Sequence, residues 1–189
     1  MTPVDAQSAI DDTRRWLERA VIGLNLCPFA KAVHAKGQVH YAVTAATGWN
    51  ELSAELEREA DELLKCASAE RDTTLLIAPQ ALPDFFEFHA FTEQAERMLA
   101  GRGFEGVLQL ASFHPAFQFA GTEPDDITNA TNRAPHPTLH LLREASIDKA
   151  VAAFPDASAI YEANIETLRR LGPEGWQALS RTLRDQGST

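Results

Sequence analysis

Two kinds of apolar spacing alternate along this chain, and together they predict an order of helices and strands. Between Asp5 and Leu24, residues Ile10, Thr13, Trp16, Leu17, Ala20, Val21 and Leu24 recur near helical spacing, with charged residues on the other faces. Asp5 or Ser8 caps this helix, and the proline of "NLCP" ends it, because a proline disfavours helical backbone in the residue before it. Gln38–Ala45 switches to alternation, with Val39, Tyr41 and Val43 set against Gln38, His40, Ala42 and Thr44, which predicts a strand with one buried face. A second helix follows over Glu51–Ala69 on Leu52, Leu56, Leu63 and Leu64. Thr73–Pro79 is an almost unbroken apolar run closed by proline, the pattern of a strand covered on both faces. Asp84 caps a third helix, which carries Phe85, Phe88, Phe91, Ala95, Met98 and Leu99 and closes at Gly101 and Gly103. Gly106–Phe113 is the next strand.

Helix, then strand–helix–strand–helix–strand, is the grammar of an α/β layer with crossover connections, with α+β as the variant. A polar stretch runs from Phe113 to Glu144, and within it Thr138–Leu142 adds a fourth strand or leads into a helix. Ser146 opens a short helix, Pro155 and Asp156 start another that stops at Gly172, and Pro173 starts the last. The final "DQGST" reads as a frayed end. The expectation is one domain over 1–189: a core of about 5–154 with a small three-to-four-stranded sheet, an N-terminal helix, and a C-terminal helical flank of about 155–186.

Composition narrows the function classes. The 189 residues are 44% hydrophobic and 23% charged, ordinary for a globular chain able to bury a core without staples. A net charge of −10 and a pI near 5.0 argue against nonspecific binding to nucleic acid or to anionic membrane. No run is apolar for long enough to span a bilayer, and the N-terminus lacks the basic-then-apolar order of a leader. Cys27 and Cys66 form no metal-type spacing and read as free thiols, so the expected location is the cytoplasm.

The candidate chemistry concentrates in "FHPAFQFAGTEPDDITNATNRAPHPTLHLLRE", Phe113–Glu144, with "NLCPFA", Asn25–Ala30, as a second landmark. The combination of "NLCPFA", "FHP" and "NRAPHPTLHLLRE" resembles a bacterial family known as a domain of unknown function, over roughly Asp11–Phe154. That resemblance implies no activity. It implies only that the polar landmarks belong together.

Residue by residue, Asn129, Asn132 and Arg133 offer amide and guanidinium donors matched to carboxylate or phosphate, and Pro135 and Pro137 stiffen the backbone behind them. The bland alternative is a surface loop whose Asn side chains satisfy its own turns. His114 stands where a strand ends, a place from which a sheet aims side chains into a crevice; its alternative is a buried histidine tied to backbone. His140 lies inside an apolar element with Glu144 four residues on, a spacing that shares a face on helix or strand, while Arg143 and Glu144 also fit a structural pair. Cys27 follows a helix C-terminus, which by itself does not activate a thiol, and needs His114, His140 or Arg133 alongside to become a nucleophile. Cys27, His114 and His140 are chemically compatible with zinc, but no HExxH or CxxC is present. Glu123, Asp125 and Asp126 suit magnesium through one or two carboxylates but read first as a solvated turn or the cap of a helix beginning near Asp126. No dinucleotide, P-loop or hydrolase-elbow motif occurs, and His34, His40 and His89, placed in an exposed loop, a strand's polar face and a helix, receive no role.

The functional expectation is a cytoplasmic enzyme of hydrolase or transferase type. It acts on a small anionic ligand bound by Asn129, Asn132, Arg133 and Arg143, with His114, His140 and Glu144 as proton-moving groups and Cys27 as optional nucleophile. The alternatives are a noncatalytic small-molecule or metal-binding regulatory module, and a structural protein in which the proline-rich stretch plugs the sheet. No cofactor is assigned.

Overall fold

The computed structural model describes residues 4–153 and 157–184. In chain order the elements are α1 (Ala6–Trp16), a π-helical turn (Leu17–Ile22), α2 (Ala30–Ala35), β1 (Val39–Val43), α3 (Trp49–Lys65), β2 (Thr73–Ile77) and α4 (Phe85–Gly101). Then come β3 (Leu108–Phe113), a 3-10 turn (Ile127–Asn132), β4 (Thr138–Arg143), α5 (Glu144–Ala153) and α6 (Ala157–Arg184).

A helical crossover returns the chain to the same end of a sheet before the next strand starts, so the strands it joins run parallel. β1 and β2, joined by α3, are parallel neighbours. β3, reached through α4, points the same way as β2, because both lie antiparallel to β4. β4 enters between them and gives the order β1–β2–β4–β3. The architecture is therefore the expected α/β arrangement, with a mixed sheet in place of a wholly parallel one.

Every residue of β2 is buried, as its unbroken apolar run requires of a central strand. On one face, Leu52, Leu56 and Leu63 of α3 and Phe88 and Phe91 of α4 pack on Leu76, Leu139 and Leu141. On the other, Trp16, Leu17, Ala20 and Val21 cover Val39, Tyr41 and Phe113. β1 is thus covered on both faces rather than one, since Ala42 belongs to the α3–α4 core while Tyr41 belongs to the α1 side. Side chains alternate across a strand, so register assigns faces. Tyr41, Leu75, His140 and Ala111 form one row across the α1 face.

Several local features depart from the periodic reading. The first helix widens after Trp16, and the Gly23 N–H reaches back to Glu18. A Cβ on Gly23 would stand 2.2 Å from the Arg19 carbonyl oxygen, so no side chain fits there. Asn25 then takes a left-handed φ of 54°, which asparagine tolerates better than most residues. α2 places His34 on a helix rather than in a loop; six residues are too few for a period to show. α5 begins at Glu144, directly off β4, and not at Ser146. α6 breaks at Gly172 (φ 69°), where two helices meet end to end as the Gly172–Pro173 pair predicts. The expected start at Pro155 and Asp156 and the frayed "DQGST" lie outside the described residues.

Gly23→Ala is expected to lower unfolding free energy by roughly 1–3 kcal/mol, the usual cost of forcing atoms into a filled space. Urea denaturation measures it against Gly101→Ala, whose added carbon meets nothing within 4 Å and which should leave stability unchanged or slightly raised.

Candidate functional site

Residues 114–137 connect β3 to β4 without a strand of their own, so their main-chain groups need partners other than a ladder. Side chains supply many of them. Asn129 is fully buried: its Oδ1 accepts from the Phe119 N–H at 2.9 Å and faces the Thr122 hydroxyl at 2.8 Å, while its Nδ2 donates to the Glu123 carbonyl at 2.9 Å. Asn132 donates to the Ser112 carbonyl at 3.2 Å. Arg133 spans the loop, with Nε donating to Phe117 at 3.2 Å and Nη2 to Pro124 at 2.6 Å. Burial pulls its guanidinium below the usual arginine range, and nearby Asp126 opposes that pull. Asp126 caps the 3-10 turn by accepting from the Thr128 N–H at 2.9 Å, the capping role its sequence position suggests.

His114 is almost wholly buried against Phe85 and Phe88 on the α3–α4 side, with ring centroids 5.7 and 5.1 Å away. Its Nε2 lies 3.1 Å from the Leu82 carbonyl, and its Nδ1 accepts from the Ala116 N–H at 3.1 Å. A carbonyl only accepts and an amide only donates, so the tautomer is fixed as neutral Nε2–H with both nitrogens engaged. Burial pushes its pKa down, and the bond to Leu82 opposes that. The carbonyl it holds belongs to a leucine in left-handed backbone, φ 49°. Arg143 closes the far end of α3, donating to the carbonyls of Leu63 at 2.5 Å, Cys66 at 2.7 Å and Arg71 at 3.3 Å. Those are orphan acceptors at and beyond a helix C-terminus.

His140 sits on the opposite face from His114, partly buried, with its ring 6.0 Å from that of Phe113. Its Nε2 meets the Thr73 hydroxyl, which in turn lies 2.7 Å from the Leu141 carbonyl. That hydroxyl has a single proton; where the proton goes to the carbonyl, Nε2–H donates to Thr73 and Nδ1 keeps its lone pair. Burial lowers the pKa of His140 from 6.5 to about 4. Glu144 does not share an element with it: the strand ends at Arg143, so the four-residue spacing loses its meaning. Glu144 instead lines a groove of about 240 Å³ with Glu96, Leu99, Phe104 and Leu110 on the α4 side.

Cys27 is half-buried on the α1 side, in the apolar cluster of Trp16, Ala134 and Phe113. The candidate residues are therefore not gathered into one cavity. Cys27 and His140 lie on the α1 side; His114 and Arg143 lie on the other; Asn129, Asn132 and Arg133 hold the connecting loop. Among the described residues no group of three or more His, Cys, Asp or Glu side chains converges as a metal site would require, and the Cys27–His114–His140 set is divided by the sheet.

Buried ion pairs outside these candidates include Arg71–Glu59 and a pairing of distant residues. His136 Nε2 lies 3.0 Å from Asp12 Oδ2, Arg15 engages the other oxygen of that carboxylate, and all three are largely buried. No local spacing announces it, because the partners stand 124 positions apart. Tyr41, on the same face of the sheet as His140, has a buried hydroxyl with no hydrogen-bond partner among the described residues, and the Arg14 guanidinium lies 5.2 Å from its ring centroid.

Comparison with known proteins gives one match, over residues 8–178, to the family described as "Protein of unknown function (DUF1415)". The chain belongs to that family. No curated protein and no solved structure matches this DUF1415 member. No helix among its described residues is long and apolar enough to cross a membrane.

Asn129→Asp exchanges the donor facing the Glu123 carbonyl for a second acceptor in a buried site. A loss of roughly 2–4 kcal/mol in chemical denaturation is expected. The folded-state pKa of His140 lies below its unfolded value, so acid favours the unfolded chain. The associated stability is fully present above pH 6.5 and lost progressively as pH falls to about 4. About 2–3 kcal/mol should disappear across that window, the lower figure allowing for partial exposure, and His140→Gln should remove that portion of the slope.

Proposed function

We propose that this DUF1415 chain is a single-domain, cytoplasmic, noncatalytic small-molecule-binding module. In this reading the ligand docks on the α1 face and presents a hydrogen-bond donor to His140. One observation carries it. The Thr73 hydroxyl engages Nε2 of His140, and Nδ1 has no protein partner among the described residues; in this reading the hydroxyl proton goes to the Leu141 carbonyl, so that Nδ1 is a lone-pair acceptor. Such an atom recognises an N–H or O–H group and repels a carboxylate or phosphate oxygen. A chain of net charge −10 favours a neutral or cationic molecule for the same reason.

The sequence expectation of a hydrolase or transferase acting on an anion draws less support from this geometry. The groups assigned to hold the anion donate instead to main-chain carbonyls: Asn132 to Ser112, Arg133 to Phe117 and Pro124, Arg143 to Leu63 and Cys66. Recruiting any of them to a ligand leaves a carbonyl without its donor, at a cost of roughly 1–3 kcal/mol each.

A thermal-shift screen of small amines, amides and polyols at pH 7.5 tests the reading. A hit should stabilise the wild type and bind His140→Gln at least about tenfold more weakly, a difference of about 1.4 kcal/mol. The glutamine amide retains a donor for Thr73 and lacks the Nδ1 lone pair. The compound should also be recovered unchanged by mass spectrometry after long incubation. Equal binding by the variant places the ligand elsewhere and overturns the proposal. Conversion of the compound returns the chain to the enzymes.

A further inference from the structure

We infer that residues 173–184 form a lid, hinged at Gly172–Pro173, over the part of the α1 face that carries Cys27 and Phe113. The two halves of α6 are held in different ways. In the first half, Leu168 is fully buried against Leu26 and Ala130, and buried Asn164 donates through Nδ2 to the Leu26 carbonyl at 2.9 Å. That half is fastened to the polypeptide just before Cys27 and to the 3-10 turn. In the second half none of residues 173–181 is buried, and its grip on the body includes the half-buried side chains of Trp176 and Leu179.

Those two side chains pack on the cluster of Trp16, Leu17, Ala20, Val21 and Ala134, against which Cys27, Tyr41 and Phe113 also lie, and Trp176 packs as well on the Leu26, Ala130 and Leu168 cluster that holds the first half. Phe113 is the ring beside His140. The proposed lid shares this apolar cluster with Cys27 and Phe113 and so flanks the face on which the proposed ligand docks, and its purpose as a gate rests on that reading.

The joint is built for independent movement. Gly172 holds φ 69°, which interrupts the helix, and Pro173 has no N–H with which to bond back across the break. Opening at this joint breaks no continuous helical ladder. It uncovers the half-buried side chains of Trp176 and Leu179 along with the other contacts of this half, whereas lifting the first half exposes a fully buried leucine and strands a buried amide. Segments with few buried contacts open well below the cost of global unfolding, and contiguous stretches do so as units.

The test uses the full chain with Cys66→Ser, so that Cys27 is the one thiol. Amide hydrogen exchange read by mass spectrometry should show 173–184 exchanging as a block, at least about tenfold faster than 160–171. The rate at which an aromatic disulfide reagent modifies Cys27 should lie well below that of the unfolded chain, and should rise about tenfold in Trp176→Ala, because modification follows the open population when closing is fast. Leu179→Ala serves the same purpose with a smaller rise if circular dichroism shows that Trp176→Ala is unfolded. Exchange of the two halves as one unit overturns the lid. So does a Cys27 that reacts at the unfolded rate in the parent, or a rate that the folded variants leave unchanged. None of these measurements needs a ligand, so a failed search for compounds at His140 leaves this result standing, and a rigid C-terminal helix leaves the His140 reading standing.

Discussion

The insertion of β4 between two parallel strands is the constraint on which the rest of this structure depends. Crossovers deliver β1, β2 and β3 pointing one way, with β2 and β3 separated by the width of a strand. To fill that gap the chain must leave β3, reverse, and come back through the middle. The connecting residues 114–137 have no ladder to join, and main-chain groups removed from water without partners are costly. The asparagines, the arginine and the capping aspartate of this segment answer that demand within the loop itself, and His114 answers it for the neighbouring Leu82 carbonyl. A polar composition that resembles a ligand site is, in this place, the internal scaffolding of a long excursion.

The same constraint divides the chemistry. Phe113 and His114 are consecutive and leave the end of β3 toward opposite faces, so the imidazole joins the phenylalanines of α4 while the phenyl ring meets Trp16. His140, in register with Leu75 and Ala111, falls on the Trp16 side. The two histidines are consequently unlike. His114 is held at both nitrogens and serves as a clasp between the end of β3 and the segment before α4; His140 is held at one, and its other nitrogen has no protein partner among the described residues.

What the sequence made legible follows from what periodicity records. Apolar spacing reports which face of an element is covered, and it located three strands and the principal helices, including the central burial of Thr73–Ile77 and the break at Gly172, while leaving Thr138–Leu142 open between a fourth strand and the lead into a helix. It carries no information about direction within a sheet, so the antiparallel, central position of β4 could not be read from "TLHLL". It also fails on elements shorter than two turns, as α2 and the π-helical turn show. For the candidate residues the difficulty is chemical. The oxygen of a main-chain carbonyl and that of a bound anion ask the same thing of Arg133, and nothing in residue identity distinguishes them. The Asp12–His136 pair illustrates the converse, since partners set so far apart become neighbours only once α1 is laid across the sheet.

The position of β4 also bears on how the chain is made. Its partners β2 and β3 are complete long before Arg143 leaves the ribosome, and until then the facing edges of both carry unsatisfied donors and acceptors. Contacts that wait for a distant segment form late, and nascent sheets with open edges associate readily with other chains. A chain cut short between Phe113 and Thr138 therefore lacks the strand with which both β2 and β3 pair, and the edges that β4 would have covered are left open to other chains.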